Sequence, residues 1–358
     1  NPTNVGAMAI GSEPGNFEVI DGSINIYTIN ETISNFCSTA PVFNLTLHNG
    51  GSIKLTDIAG IGNQPLIVNN NLTLGENSTL ETNGQDIWVA RNFTLESNAS
   101  YNHGENTTVF FWNNIHNSAG TSIINNSGTS PLTFHNVKLS KSDRVGGYND
   151  AKKTTLPVGE TNLQVVIEGD LTIDALHQTL DVNSKQLRVC GNIMTNYTSK
   201  VINESSILLK PIDALSQTLT IGKLESDNSF VINNSAGVKL AENSTMESLI
   251  LEESVLDIQD KKLTINNPVT TTGSFGVSNM VKSNGASSDG GLEYQLKGKS
   301  TGVYLYPFGV ANKYTPFTIT LGGNGTFDDE DNLVGAVPVN AIHPIAVSYT
   351  HLTLPTKR

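Results

Sequence analysis

The residues that could bind a metal in this chain are its histidines and one dense acidic cluster. The seven histidines form no His-x-His or His-Glu-x-x-His motif, so they match no standard zinc spacing. Asp328, Asp329 and Asp331 lie within four residues, and carboxylate oxygens are the ligands that Ca²⁺ prefers. The cluster lacks the alternating, glycine-containing pattern of a calcium loop, and a solvated turn is the alternative. The sequence therefore predicts no cofactor, with Ca²⁺ at this cluster as the exception to test.

Glu81 and Asp181 are the acidic side chains that occur at matching positions in the clearest repeats of the chain. A glycan-cleaving enzyme needs carboxylates that converge on one another. These two are separated by 100 residues (181 − 81 = 100), so we interpret them as solvated charges rather than as a catalytic pair. His103-Gly104 matches one part of a polygalacturonase motif whose other parts are absent. The sequence predicts a protein that is not an enzyme, and a polysaccharide lyase or hydrolase is the alternative.

Three aromatic residues, Tyr101, Trp112 and Tyr148, fall in an irregular region between residues 100 and 160. Their rings could stack on sugars, which makes them candidate glycan contacts. The alternative is that the same rings close the core of the fold.

The elements that position these residues follow from a repeat that is clearest between residues 66 and 101. Apolar residues occur in pairs two apart, which is the spacing of a half-buried strand. Asn71-Leu72-Thr73-Leu74 returns as Asn92-Phe93-Thr94-Leu95, 21 residues later (92 − 71 = 21), with three strands in each repeat. Such a unit is too small to bury its own apolar face and must stack on copies of itself. The predicted fold is all-β, a parallel β-helix with about 21 residues per coil.

Changes in spacing divide the chain into four segments. Residues 1–41 are predicted to be an irregular cap or partial coils, and residues 42–275 to be the parallel β-helix. Longer alternating strands predict a small antiparallel β-sandwich-like module at 276–346. Residues 347–358 resemble a translated sequencing adapter of the kind found at the ends of metagenomic reading frames, so we expect this tail to be non-native and the chain to be part of a longer polypeptide. The alternative is a genuine last strand, because Tyr349, His351 and Thr353 alternate with Leu352 and Leu354.

Two asparagines, Asn83 and Asn183, follow strands in the repeat at positions where the chain must bend. Asparagine tolerates the left-handed backbone conformation better than other residues with a Cβ atom. We expect both residues to adopt it, and hydrogen bonds between asparagine side chains stacked along the rod are a second structural role that they could have.

The composition limits the partners of the protein. Its net charge of −12 disfavours nucleic acid and anionic membrane surfaces. The sequence contains no run of 18 apolar residues, which is the length that a membrane-spanning helix needs. Cys37 and Cys190 match no metal or redox spacing, and we expect them to be unpaired.

Several motifs resemble large surface proteins of Bacteroidota-type bacteria that leave the cell by type IX secretion. They are Phe43-Asn44-Leu45-Thr46-Leu47, Ser278-Asn279-Met280-Val281, Tyr306-Pro307-Phe308-Gly309 and Val339-Asn340-Ala341, in that order. The resemblance covers residues 38–346, with Tyr306-Pro307-Phe308-Gly309 where such proteins usually have Phe-Pro-Val-Gly. It implies β-helix repeats with sandwich modules, a secreted or cell-surface location, and an adhesin-like role with extracellular glycans or matrix proteins as partners.

Overall fold

The structure of the protein is a computed structural model. It describes residues 8–10, 21–27, 33–57, 62–112, 121–128, 130–140, 153–155, 165–173, 179–183, 186–195, 200–202, 206–222, 225–226, 229–296, 302–322 and 333–340. These residues form 39 β-strands and no helix. The predicted all-β fold is confirmed, and the pairing of the strands is that of a parallel β-helix.

The strands build three faces, A, B and C, which the chain visits in this order between residues 66 and 295. Face A is one continuous sheet. Its parallel strands are β6 (Leu66–Val68), β9 (Ile87–Val89), β12 (Thr108–Phe111), β15 (Asn136–Leu139), β18 (Leu171–Ile173), β21 (Ile193–Thr195), β24 (Gln217–Thr220), β27 (Val238–Leu240), β30 (Val255–Gln259), β33 (Met280–Ser283) and β36 (Phe308–Val310).

Face B is divided into two sheets, and the second begins at β28. Its strands are β2 (Ser23–Ile26), β4 (Asn44–Leu47), β7 (Leu72–Leu74), β10 (Phe93–Leu95), β13 (Thr121–Asn126), β16 (Lys153–Thr155), β19 (Thr179–Asp181), β22 (Lys200–Ile202), β25 (Glu225–Ser226), β28 (Ser244–Met246), β31 (Lys262–Ile265) and β34 (Gly291–Gln295).

Face C is also divided, between β11 and β14, which are not paired with each other. Its strands are β1 (Met8–Ile10), β3 (Ser34–Ser38), β5 (Ser52–Leu55), β8 (Thr79–Glu81), β11 (Ser100–Asn102), β14 (Leu132–Phe134), β17 (Val165–Ile167), β20 (Gln186–Val189), β23 (Ser206–Leu209), β26 (Ser229–Ile232), β29 (Ser248–Leu251) and β32 (Thr270–Thr271).

The core is a column of apolar side chains that runs along the inside of the three faces. Most strands are three or four residues long, and their alternation places two side chains inward and one outward, as in Leu72-Thr73-Leu74. On face B, Leu45, Leu72 and Phe93 lie directly over one another in register, and each is 0% exposed. Each coil therefore completes the core of its neighbours.

The corners between faces are stabilised by asparagine and aspartate. Asn83 and Asn183 have φ values of 54° and 55°, which confirms the predicted left-handed conformation. Where the chain enters face A, Asn136 Oδ1 accepts a hydrogen bond from Asp170 N at 2.8 Å, and Asp170 Oδ1 accepts one from Asn192 N at 2.7 Å. Side chains in consecutive coils thus satisfy backbone donors that no strand pairing reaches.

The two clearest copies of the repeat do not lie on the same faces. Leu80 is in β8 on face C, whereas Leu180 is in β19 on face B. The interpretation of Glu81 and Asp181 as equivalent positions is therefore wrong. A strand followed by a bend has the same inward and outward pattern on every face, so the local sequence does not identify the face.

The parallel pairing continues beyond the expected boundary at residue 275. Strand β33 pairs with β30, β34 with β31, and β36 with β33, all in parallel. Longer connections change the spacing of the apolar residues here without changing which strand stacks on which. At the other end, β2 already pairs in parallel with β4, before residue 42.

Antiparallel strands close the C-terminal end of the column. Strand β35 (Val303–Tyr306) pairs with β38 (Phe317–Thr320), β36 with β37 (Lys313–Tyr314), and β34 with β39 (Leu333–Ala336). The rings of Tyr306 and Phe317 stack with centroids 4.7 Å apart. The antiparallel part predicted from the sequence is thus packed onto the last coils.

Candidate functional site

An aromatic surface lies on the outside of face A. Ile67, Trp88, Phe110 and Lys138 occupy the outward position of β6, β9, β12 and β15, and they follow one another in register. We call these four residues the aromatic strip. The three intervals of about 4.8 Å between these four strands give the strip a length of about 14 Å.

Ring stacking fixes the centre of the aromatic strip. The rings of Trp88 and Phe110 are nearly parallel, 20° apart, with centroids separated by 4.4 Å. Lys138 Nζ lies 5.8 Å from the centroid of the Phe110 ring, within the range of a cation–π contact. Both rings remain partly exposed. The strip therefore offers a flat apolar surface next to a positive charge, which suits the C–H face and the hydroxyl groups of a sugar.

Trp112 lies beside the aromatic strip and supports it. Its ring meets Trp88 edge-on, with centroids 5.9 Å apart and an angle of 79°. Trp112 is 5% exposed, and its Nε1 has no hydrogen-bond partner among the described residues. Its location favours the alternative role that the sequence left open, that of closing the core, and a direct contact with glycan stays a prediction.

Tyr101 points into the column instead of outward. It pairs in register with Leu80, and its ring packs 5.3 Å from Phe93 and 5.7 Å from Phe134 between centroids. Its hydroxyl is buried without a hydrogen-bond partner in the described part of the chain. Burial, together with the negative charge of Asp86, holds the pKa of Tyr101 far above its usual range. The hydroxyl therefore stays neutral.

A cleft opens beside Tyr101, where the ladder of face C is interrupted between β11 and β14. Its volume is about 440 Å³. Residues from faces B and C line it: Leu95, Asn98, Ala99, Ser100, Tyr101, Asn126, Gly128, Ser130, Pro131, Leu132 and Thr133. The irregular region named from the sequence thus contains a real concavity with amide and hydroxyl groups at its wall.

A second group of polar residues meets at the corner where the chain passes from face C to face A. His103, His135 and Glu168 each offer one ligand atom, and these atoms all lie within 4.8 Å of one another. Within the described residues, no other group of three or more His, Cys, Asp or Glu side chains converges in this way. We call these three residues the corner cluster.

Sequence reasoning missed the corner cluster because its members are far apart in the chain. The separations are 32 and 33 residues (135 − 103 and 168 − 135), which do not match the repeat of 21. One signal was present: His103, His135 and Glu168 each follow directly after the last residue of a face C strand. This pattern can be recognised only after each strand has been assigned to its face and coil.

The remaining candidates have different outcomes. Asp181 is 6% exposed, and its Oδ1 accepts a hydrogen bond from Asn183 N at 3.0 Å, so the interpretation as a solvated charge is wrong for this residue. Tyr148 and the calcium candidates Asp328, Asp329 and Asp331 lie outside the described residues.

The two cysteines are free thiols on different parts of the rod. Cys37 is in β3, and Cys190 follows β20 at a corner. Burial raises the pKa of the Cys190 thiol, against the effect of the neighbouring Arg188. The thiol is therefore kept in its unreactive, protonated form.

Comparisons with known proteins do not assign the chain to a family. It matches no protein-family model, no curated protein and no solved structure. In the part of the chain that the structure describes, no helix has the length and apolar character that crossing a membrane requires.

Proposed function

We propose that the protein is a non-enzymatic, secreted cell-surface protein whose β-helix is a stiff stalk that presents a glycan-binding surface. The fold supports the role of a stalk: 11 strands stack in parallel on face A, and the ten intervals of about 4.8 Å between them give a rod of about 48 Å. Its partners would be glycans of a matrix or of another cell. The proposed location rests on the resemblance to type IX secretion cargo.

The observation that carries the glycan-binding role is the stacked pair of Trp88 and Phe110 on an outward face. Outward positions further along the same row are polar or flexible, since Lys138 is followed by Thr172 and then Met194. Two aromatic rings held flat and in register have no role in filling the core, and they remain partly exposed. Side chains of this type, rigid and amphipathic, carry much of the energy at binding surfaces.

Binding to an array of polysaccharides and oligosaccharides tests the proposal. We expect W88A and F110A each to weaken binding by at least about 10-fold, which corresponds to about 1.4 kcal/mol. M194A is the matched control: Met194 occupies the same outward row and is 46% exposed, but it lies outside the aromatic strip. Its removal should leave the affinity unchanged.

Two results would contradict the proposal. One is glycan binding that W88A and F110A leave intact, because the aromatic strip would then not be the binding surface. The other is release of reducing ends or unsaturated products from the same polysaccharides, because turnover would favour the glycan-active enzyme that is the alternative.

A further inference from the structure

We propose that the corner cluster is a binding site for one divalent transition-metal ion, and that Zn²⁺ is the ion its ligands fit best. Two imidazole nitrogens and one carboxylate are a donor set found in zinc sites with an open fourth position, which water can occupy. Ca²⁺ and Mg²⁺ prefer oxygen ligands, so they should not compete. The proposal does not depend on glycan binding.

The ligands come from the same corner of three consecutive coils. His103 follows β11, His135 lies between β14 and β15, and Glu168 follows β17. The backbone at this corner is hydrogen-bonded from coil to coil, since Glu168 N donates to Phe134 O at 2.9 Å and Gly169 N donates to His135 O at 2.7 Å. His135 and Glu168 therefore stand on a paired backbone that holds them in place before any ion arrives.

The distances fit a small tetrahedral ion. His103 Nε2 and Glu168 Oε2 are 3.5 Å apart. In a tetrahedral site with metal–ligand bonds of about 2.0–2.1 Å, two ligand atoms are separated by about 3.4 Å. The ligand atom of His135 lies within 4.8 Å of the other two, so it must approach them by no more than about 1.4 Å to complete the set.

The hydrogen bonding of His103 leaves the correct nitrogen free. His103 Nδ1 lies 2.8 Å from Gly104 O, and because a carbonyl oxygen can only accept, Nδ1 must carry the proton. In the neutral ring Nε2 then has a lone pair that faces the Glu168 carboxylate. A lone pair and a carboxylate repel each other unless a cation lies between them. A metal ion can be that cation, and a proton that converts His103 to imidazolium is the competitor.

Glycine permits the close approach of the coils at this corner. A Cβ atom on Gly169 would lie 2.2 Å from Asn136 Oδ1 and 3.0 Å from His135 O. An ion can enter from solvent, since the side chains of His103 and Glu168 are 19% and 33% exposed. Once bound, it would tie together three coils beside the place where β11 and β14 are unpaired.

Zinc titration of the chelator-treated full chain, followed by calorimetry, tests the site. We expect one Zn²⁺ per chain and a higher melting temperature with Zn²⁺ than with chelator. H103A, H135A and E168Q should each weaken binding by at least about 10-fold, because each changes a direct ligand and the loss of an outer-shell partner alone costs about 10–100-fold. H48A is the matched control: His48 Nε2 lies 2.9 Å from Asn25 Oδ1 and belongs to another coil. Its removal should change neither the affinity for Zn²⁺ nor the increase in melting temperature that Zn²⁺ causes.

Substitution with Co²⁺ gives a second measurement that does not depend on the stability of the variants. A site with three protein ligands should give the visible absorption bands of a tetrahedral Co²⁺ complex in the full chain and in H48A. The proposal is overturned if the wild type binds no stoichiometric Zn²⁺, or if H103A and E168Q bind it as tightly as H48A does. Destabilisation by E168Q without zinc binding would identify the cluster as an ion pair and also overturn it.

Discussion

Single side chains in this protein are sorted by the direction in which the strand points them. Thr73 and Trp88 point outward because their neighbours on either side point inward, and the inward residues are close to fully buried. Tyr101 shows the consequence of a large polar residue at an inward position. Its ring fills the column, while its hydroxyl is left without a partner among the described residues.

Comparison of two tyrosines whose hydroxyl groups are shielded from solvent gives a prediction at this scale. Tyr294 Oη donates to Leu305 O at 2.7 Å and accepts from Val269 N at 3.3 Å, whereas Tyr101 Oη makes neither kind of bond in the described structure. Y294F should therefore destabilise the protein by about 1–3 kcal/mol, since it leaves buried backbone groups unpaired. Y101F should leave the free energy of unfolding unchanged or raise it.

Chemical denaturation of both variants measures this difference. A loss of stability in Y101F as large as that in Y294F would mean that the hydroxyl of Tyr101 has a partner, such as a buried water in the neighbouring cleft.

The elements of the fold are strands of only a few residues, so their stability depends on how closely consecutive coils approach. The corner before β21 is one of the closest approaches. Gly191 N donates to Gly169 O at 2.9 Å, and a Cβ atom on Gly191 would lie 2.5 Å from both the carbonyl carbon and the oxygen of Gly169. Backbone atoms cannot move aside as a flexible side chain can.

Substitution of this glycine gives a prediction about the packing between coils. G191A should lower the free energy of unfolding by about 1–3 kcal/mol, because the methyl group forces two rungs apart. G273A is the control, since nothing lies within 4 Å of a Cβ atom there, and it should change stability by less than about 1 kcal/mol. Equal melting temperatures for the two variants would show that the corner can widen without cost.

The whole molecule is a column that needs a cover at its end. Leu263 and Ile265 in β31 are 0% exposed because β34 lies on top of them and contributes Leu292 and Tyr294. Solenoids become insoluble when a terminal coil exposes its apolar side. The coils after residue 275 and the antiparallel strands on them therefore complete the β-helix.

Truncation tests whether residue 275 is a boundary between independent parts. A chain that ends there should aggregate and melt at a lower temperature than a chain that ends at residue 340, because it loses the cover over β30 and β31. Light scattering and thermal unfolding measure both effects. If the shorter chain stays monomeric and melts at the same temperature, the β-helix ends at residue 275, as the change in the spacing of apolar residues predicted.

Local sequence was sufficient to predict the strands, the inward or outward position of most of their residues, and the left-handed bends at Asn83 and Asn183. Asp181 is an exception, since it is buried instead of solvated. Each of these depends on a few neighbouring residues, through the two-residue period of a strand and the backbone preference of asparagine. The outward position of Trp88 follows from the same local pattern.

The face that a strand occupies and the coil that lies next to it became known from the folded molecule. Both depend on the lengths of all the preceding connections and on hydrogen bonds between coils, so neither is written in any short segment. For this reason Leu80 and Leu180, which look equivalent in sequence, lie on different faces. For the same reason His103, His135 and Glu168 meet at one corner although no spacing in the sequence connects them.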